Sequence, residues 1–92
     1  MRFLVIHPLE AGTTRERLTE FLREIPPEIK EYRSFINLTE GKGVCLLDAP
    51  DREVLVKWLD ERKLPYDAIW MVEAECKHGE FIDILSEADV ST

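Results

Sequence analysis

The spacing of apolar residues predicts an alternation of strands and helices along the chain. Residues 3–6 form an apolar run that is typical of a strand, and this strand is expected to end near His7 because Pro8 has no N–H to donate to a sheet. A helix follows, because apolar residues then recur three and four positions apart, on one helical face. Those residues are Leu18, Phe21, Leu22 and Ile25.

Signals for both ends flank this first helix. Thr13 and Glu16 have the spacing of a capping box, in which the threonine hydroxyl accepts from a free N–H of the first turn and the glutamate reaches back. Pro26 and Pro27 cannot continue the helical hydrogen bonds, so the helix is predicted to stop before them.

The next segments predict a hairpin. Residues 30–38 have the pattern of a half-buried strand, and residues 40–43 supply glycines for a tight turn. Residues 44–47 predict a third strand that is apolar at every position. A strand of this kind is expected to be covered on both faces.

A second helix is predicted after the hairpin. It begins with either Pro50 or Asp51 near its cap, and it stops at Leu64 and Pro65, where the backbone pattern can no longer continue. Its apolar stripe again has helical spacing. The stripe comprises Val54, Leu55, Trp58 and Leu59.

Residues 69–76 predict a fourth strand, and residues 81–85 a short helical turn within a C-terminal tail. The resulting order, β-α-β-β-α-β, is that of a ferredoxin-like α+β sandwich: a four-stranded antiparallel sheet with two helices on one face. The first and third strands are expected at the sheet centre, because both are apolar on both faces. The chain therefore divides into a ferredoxin-like domain over residues 1–78 and a tail over residues 79–92.

Two helices can cover only one face of such a sheet, which leaves apolar side chains of the central strands on the other face. Burial of that face would contribute about 25 cal/mol per Å², or several kcal/mol in all. Contiguous apolar surfaces of this size are rarely left in water. We therefore expect a homodimer that packs sheet against sheet. The alternative is a monomer in which the C-terminal tail covers the face.

Charge and composition exclude several classes of partner. The 12 basic and 19 acidic residues give a formal charge of −7, which argues against a protein that binds nucleic acid or anionic membranes. No segment is apolar over the length needed to cross a bilayer, and the first residues lack the pattern of a signal peptide. The two cysteines imply no disulfide framework, so a reducing cytoplasm is the expected location.

Two segments of the chain resemble a known family. Residues 41–51 read Gly-Lys-Gly-Val-Cys-Leu-Leu-Asp-Ala-Pro-Asp, and residues 64–69 read Leu-Pro-Tyr-Asp-Ala-Ile, with Trp58 and Leu59 between them. This arrangement is similar to the small bacterial and archaeal dimeric α/β-barrel proteins of unknown function, and in particular to their nickel-binding-protein-like branch. The resemblance covers most of residues 1–76.

The resemblance implies a ferredoxin-like fold with sheet-to-sheet pairing of two chains. Because some members of the family bind nickel or another transition metal, it also implies a metal as a candidate ligand. His7 and Cys45 match the histidine at the end of the first strand and the cysteine in the third strand that the family often carries.

His7 is the first candidate for chemistry on the residues alone. It shares the parity of Phe3 and Val5, so its imidazole is expected on their face of the sheet. If that face lines an inter-subunit cavity, His7 would bind a metal or act as a base near neutral pH; otherwise it bonds to backbone or solvent. Cys45 lies within an apolar strand, where a thiol is usually inert but can ligate a metal beside a cation.

Four further residues carry weaker signals. Cys76 and His78 are two positions apart, a spacing that suits two corners of a zinc or nickel site completed by a second chain. Tyr32 and Glu73 are polar residues on predicted strands and are candidate ligand-binding groups. Glu73 would act as a metal ligand or general base if buried, and would otherwise face solvent at the sheet edge.

These residues support three functional hypotheses. The first is a dimeric binding domain whose inter-subunit cavity holds nickel, zinc or a small ligand. The second is a cofactor-independent enzyme of the dimeric α/β-barrel monooxygenase or isomerase type, with His7 as base and a closed pocket of roughly a few hundred Å³ beside it. The third is a structural or interaction module whose interior is packed solid.

Overall fold

A computed structural model describes residues 1–85, which contain two helices and six strands; the last part of the predicted tail, residues 86–92, lies outside the described residues. The elements follow along the chain as β1 (Arg2–Pro8), α1 (Arg15–Arg23), β2 (Lys30–Asn37), β3 (Lys42–Asp48), α2 (Arg52–Glu61), β4 (Ala68–Met71), β5 (Ala74–Lys77) and β6 (Glu80–Asp83). Neither helix in this part of the chain is long and apolar enough to cross a membrane.

Four strands form an antiparallel sheet in the order β2-β3-β1-β4. β1 and β3 therefore lie at the centre, where each is paired along both of its edges. β1 pairs with β3 over its whole length, from Arg2 opposite Asp48 to Pro8 opposite Lys42. The prediction of an α+β fold with a four-stranded antiparallel sheet and two helices is confirmed.

The core lies between the helices and one face of the sheet. Alternate residues of the central strands, Phe3, Val5 and Leu47, have at most 2% of their surface exposed. They pack with Leu55 and Leu59 of α2, which are fully buried. Because alternate side chains of a strand point to opposite faces, this is the face that the helices cover. Each such side chain contributes about 1.5–3 kcal/mol by its burial.

The opposite face of the sheet, which we call the open face, carries the other set of alternate residues. Cross-strand pairing aligns them in rows, as where Leu4 lies opposite both Leu46 and Trp70. Phe35 is 63% exposed and Trp70 is 57% exposed, so the described part of the chain leaves large apolar side chains of this face in solvent. The open face comprises Leu4, Ile6, Phe35, Val44, Leu46 and Trp70.

Both helices begin at a side-chain cap. The side chain of Asp51 caps α2 by accepting from the N–H of Val54 at 2.8 Å. Of the two predicted caps, Pro50 and Asp51, the cap is therefore Asp51. The cap of α1 is Thr14, whose hydroxyl accepts from an N–H of the first turn. The prediction of Thr13 was wrong by one residue, because the Thr13 hydroxyl instead donates to the carbonyl of Glu10.

The chain beyond β4 forms a hairpin rather than a longer strand and a helix. β4 ends at Met71, and β5 and β6 pair around a turn in which His78 and Gly79 have φ of 54° and 79°. Two positive φ values are typical of a type I′ turn, whose twist matches that of the flanking strands. The predicted helical turn over residues 81–85 was wrong, because Glu80–Asp83 is a strand.

This hairpin, residues 74–83, projects from the main sheet, and we call it the arm. The Cα radius of gyration is 14.1 Å, larger than the roughly 12 Å expected for a compact chain of this length. Phe81 is 78% exposed and Ile82 is 52% exposed. The arm thus presents two large apolar side chains that the described part of the chain does not cover.

Gly41 is expected to matter more for stability than Gly12, although both have positive φ. An alanine at either position would adopt a left-handed conformation that costs about 1–2 kcal/mol. At Gly41 its Cβ would also lie 2.9 Å from the backbone oxygen of Leu9, whereas at Gly12 nothing lies within 4 Å. We expect Gly41→Ala to lower the free energy of unfolding by about 1 kcal/mol more than Gly12→Ala. Urea unfolding measures the difference, and equal losses would show that Leu9 moves aside without cost.

Candidate functional site

A small cavity lies at the carboxyl end of β1, between the two helices and the covered face of the sheet. Its volume is about 60 Å³, and apolar side chains of α1 and α2 form most of its wall. Gly43, which lies opposite His7 in the sheet, adds no side chain and so leaves space there. The sheet contributes three polar groups from three adjacent strands: His7, Ser34 and Cys45. We call this the His7 cavity.

The imidazole of His7 is held by the backbone of the loop that follows α2. Its Nδ1 lies 3.0 Å from the carbonyl oxygen of Pro65. Because a carbonyl oxygen can only accept, Nδ1 donates, and the neutral ring then carries its acceptor lone pair on Nε2. His7 therefore offers one hydrogen-bond acceptor at the cavity.

Burial lowers the pKa of His7 below its ordinary value of 6.5. The hydrogen bond with Pro65 and the charge of Asp67 act in the opposite direction but do not outweigh burial. The neutral ring is therefore the form that the folded protein favours. A neutral imidazole can accept a proton or ligate a metal, so the environment of His7 is compatible with the roles predicted for it.

Cys45 is held as a neutral thiol. Burial raises its pKa; the hydrogen bond with Ser34 lowers it and the charge of Glu31 raises it, both by less. The Ser34 hydroxyl donates to Oε2 of Glu31 at 2.5 Å, and its Oγ lies 3.2 Å from Sγ of Cys45. Because the thiolate is the form that attacks substrates, Cys45 is poorly suited to act as a nucleophile at neutral pH.

Trp58 also lines this cavity, and it carries a buried hydrogen-bond donor. Only 8% of the residue is exposed, and its Nε1–H has no hydrogen-bond partner within residues 1–85. Its ring packs against Phe21 of α1, with the ring centres 5.3 Å apart. A buried indole N–H usually finds an acceptor, so Trp58 is the residue lining the cavity whose hydrogen-bonding capacity is unmet.

A second polar cluster lies at the other end of β1, on the side of the open face. Arg2 Nε is 3.2 Å from Oδ1 of Asp48, and Arg2 Nη1 is 3.1 Å from Oε2 of Glu75. The guanidinium carbon lies 4.2 Å from the ring centre of Tyr32, whose hydroxyl donates to Asp48. Tyr32 is therefore part of this Arg2 cluster, which joins β1, β2, β3 and the arm, and not part of the His7 cavity.

The remaining predicted site residues also lie apart from the cavity. Cys76 is exposed on β5 and His78 lies in the turn of the arm, so the two do not continue one strand face. Glu73 is exposed, and its carbonyl accepts from two N–H groups at the base of the arm. Within residues 1–85, no three His, Cys, Asp or Glu side chains are grouped as a metal site requires. The predicted metal ligands His7, Cys45, Cys76 and His78 are thus not brought together in one chain.

The predicted parity of His7 is confirmed, but its face is the covered one. It lies on the helix side with the core residues of β1, away from the open face on which an inter-subunit cavity would form. Sequence reasoning missed Arg2 and Asp48, because an ion pair between strand ends depends on register. The sequence predicted Trp58 only as part of the apolar stripe of the second helix. A buried indole N–H needs an acceptor, however, and this need is a signal that could have marked Trp58 as a site residue.

Comparison with known proteins gives no match: no family model, no curated protein and no solved structure matches the chain. The resemblance to dimeric α/β-barrel proteins therefore stays a prediction.

His7 is expected to make the protein less stable in weak acid. Because its pKa is lower in the folded protein than in the unfolded chain, the unfolded chain binds more protons below pH 6.5. The free energy of unfolding should therefore fall as the pH decreases from about 7 to about 5.5. His7→Gln should lose this part of the pH dependence, whereas His78→Gln, in the exposed turn, should keep it. Urea unfolding across this range tests the assignment, which identical slopes in His7→Gln and the wild type would contradict.

Proposed function

We propose that the protein is a ferredoxin-like homodimer that binds a small, uncharged and mainly apolar molecule in the His7 cavity of each chain. The observation that supports the binding function is one apolar cavity that is lined by both His7, whose Nε2 is a free acceptor in the neutral ring, and Trp58, whose buried N–H has no partner within the described residues. Ligand pockets commonly combine an apolar wall with a few polar groups that fix orientation.

The wall of the cavity favours an uncharged ligand. Among the described residues that line it, none is Lys, Arg, Asp or Glu, so a charged ligand would lose its hydration without gaining a partner. A ligand acceptor bonded to the Trp58 N–H would relieve an unmet donor, whose burial costs about 1–3 kcal/mol. The volume of about 60 Å³ is that of about two water molecules, which limits the bound group to a few heavy atoms.

The open face supports the dimer. Its six apolar residues form adjacent rows across all four strands of the main sheet, and the helices pack on the other side. An exposed apolar patch of this kind is typical of a protein interface. The strand order and the two strand-helix-strand connections support the ferredoxin-like assignment, in which such faces pair readily.

The other hypotheses have less support. An enzyme with His7 as base would need a pocket of roughly a few hundred Å³, several times the volume of the His7 cavity. A nickel or zinc site would need further ligands beside His7 and Cys45, and within residues 1–85 no three such side chains are grouped. A module whose only role is interaction would share the open face but would not bind ligands at His7.

Xenon and acetonitrile are small enough for a cavity of about 60 Å³ and are expected to bind in the His7 cavity. Xenon enters small apolar cavities without hydrogen bonding, whereas acetonitrile adds one nitrogen acceptor. Trp58→Phe removes the donor while keeping most of the ring volume. We expect this variant to bind acetonitrile about fivefold more weakly and xenon about equally, since one hydrogen bond contributes about 1 kcal/mol. Chemical-shift titration of the backbone amides measures both affinities.

A cavity-filling variant supplies the control for this binding experiment. Cys45→Met should remove binding of both probes, because the longer side chain occupies the space beside Ser34. Absence of binding to the wild type, or undiminished binding to Cys45→Met, would favour the interaction module instead. Heat of nickel or zinc binding that disappears in His7→Ala would favour the metal hypothesis.

Phe35→Glu is expected to convert the dimer into monomers. Phe35 lies on the open face, and an unpaired carboxylate buried in the interface should raise the dissociation constant about 100-fold or more. Ile36→Glu is the matched control, because Ile36 is 42% exposed on the covered side of the same strand. Sedimentation velocity at micromolar concentration measures the state, and a wild type that sediments as one chain would contradict the dimer.

A further inference from the structure

We propose that the arm of each chain packs against the second copy of the chain and extends the dimer interface beyond the sheet. This inference rests on the proposed homodimer, and it assigns a role to residues 74–83, which the proposed function does not use. It also specifies the side of the arm that makes the contact, which is the side that carries Ile82.

The Arg2 cluster sets the direction in which the arm faces. Glu75 and Ile82 lie opposite each other in the hairpin, so their side chains share one side of it. Glu75 reaches Arg2, which has the same strand parity as Leu4 and therefore belongs to the open-face side. Ile82 therefore lies on the side of the arm from which Glu75 reaches the open-face side of β1, and it is exposed there.

The other side of the arm has a different composition. Cys76 lies opposite Phe81, and both are exposed on the side that faces away from Arg2. Each side of the hairpin therefore carries one large apolar residue, and the two are neighbours in sequence. This arrangement offers a direct comparison between the side proposed to contact the partner and the side that does not.

The arm has little support from its own chain. A two-stranded hairpin is at best marginally stable alone, and it needs a further apolar surface to be held in one orientation. The Arg2–Glu75 ion pair connects the arm to the main sheet, and backbone bonds from Ile84 and Leu85 to the Glu73 carbonyl close the base of the arm. These contacts lie near its base, whereas Ile82 is 52% exposed. A second surface over the arm is therefore expected in the working assembly.

The size of the open face favours a second copy of the chain as the partner that covers the arm. Four strands about 4.8 Å apart, with a longest strand of about 24 Å, give a sheet face of about 450 Å² in flat projection. β4 has four residues, which makes the area smaller at that edge. A stable interface buries about 800 Å² of accessible surface on each partner, a measure that also counts the relief of the side chains, so the open face is on the scale of one half of a dimer interface. Because a twofold dimer uses the same patch on both chains, an arm that joins the patch adds its area twice.

Two neighbouring substitutions test the proposal. Ile82→Glu is expected to raise the dissociation constant of the dimer about tenfold or more, because it removes apolar burial and adds a charge at two symmetric positions. Phe81→Glu is the matched control on the other side of the arm, and we expect a change of less than about threefold. Sedimentation equilibrium measures the constants, and circular dichroism checks that each variant folds.

The outcomes separate the arm from the dimer itself. If Phe35→Glu dissociates the dimer while Ile82→Glu leaves it unchanged, the homodimer stands and the arm proposal is overturned. If Phe81→Glu weakens the dimer and Ile82→Glu does not, the proposed side of the arm is wrong. A wild type that is monomeric overturns both proposals. Amide hydrogen exchange of residues 74–83 gives a second measure, since the arm should exchange more slowly in the wild type than in Phe35→Glu.

Discussion

The organisation of this protein depends on an imbalance between its sheet and its helices. The two central strands are apolar on both faces, but the two helices cover only one face of the sheet. Burial against α1 and α2 gives the covered face its core, with Phe3, Val5 and Leu47 almost inaccessible. The same strands carry Leu4 and Leu46 on the other side, where the described chain supplies no helix. Folding of one chain therefore buries the apolar side chains on one face of the sheet, and the apolar side chains of the open face remain available for association.

Alternation along β1 also separates the chemistry of the two faces. Odd positions send His7 inward, to the cavity that Trp58 also lines, while even positions send Arg2 outward to Asp48 and Glu75. A ligand at the His7 cavity and a partner at the open face would thus occupy opposite sides of one sheet. The central strands contribute residues to both faces.

The elements of the main sheet could be predicted because their signals are local: helical spacing, alternation and turn residues within a few positions. Thr13 and Thr14 illustrate the limit, since both have a hydroxyl that can cap and only the path of the preceding loop selects Thr14. The arm was missed because apolar residues in the segment after His78 have helix-like spacing, whereas the type I′ turn is a two-residue signal. The Arg2–Glu75 pair could not be predicted either, because it joins residues 73 positions apart and forms only when the arm folds back towards β1.

The Arg2 cluster explains why the arm has a defined direction although its contacts are few. One guanidinium faces two carboxylates and the ring of Tyr32, so removal of Glu75 would leave Arg2 paired with Asp48 but would free the arm. Glu75 is 37% exposed, and ion pairs in such positions add little to stability. Their directional hydrogen bonds instead restrict geometry. If the arm packs against a second copy as proposed, an arm held in this direction would lose less conformational freedom on association.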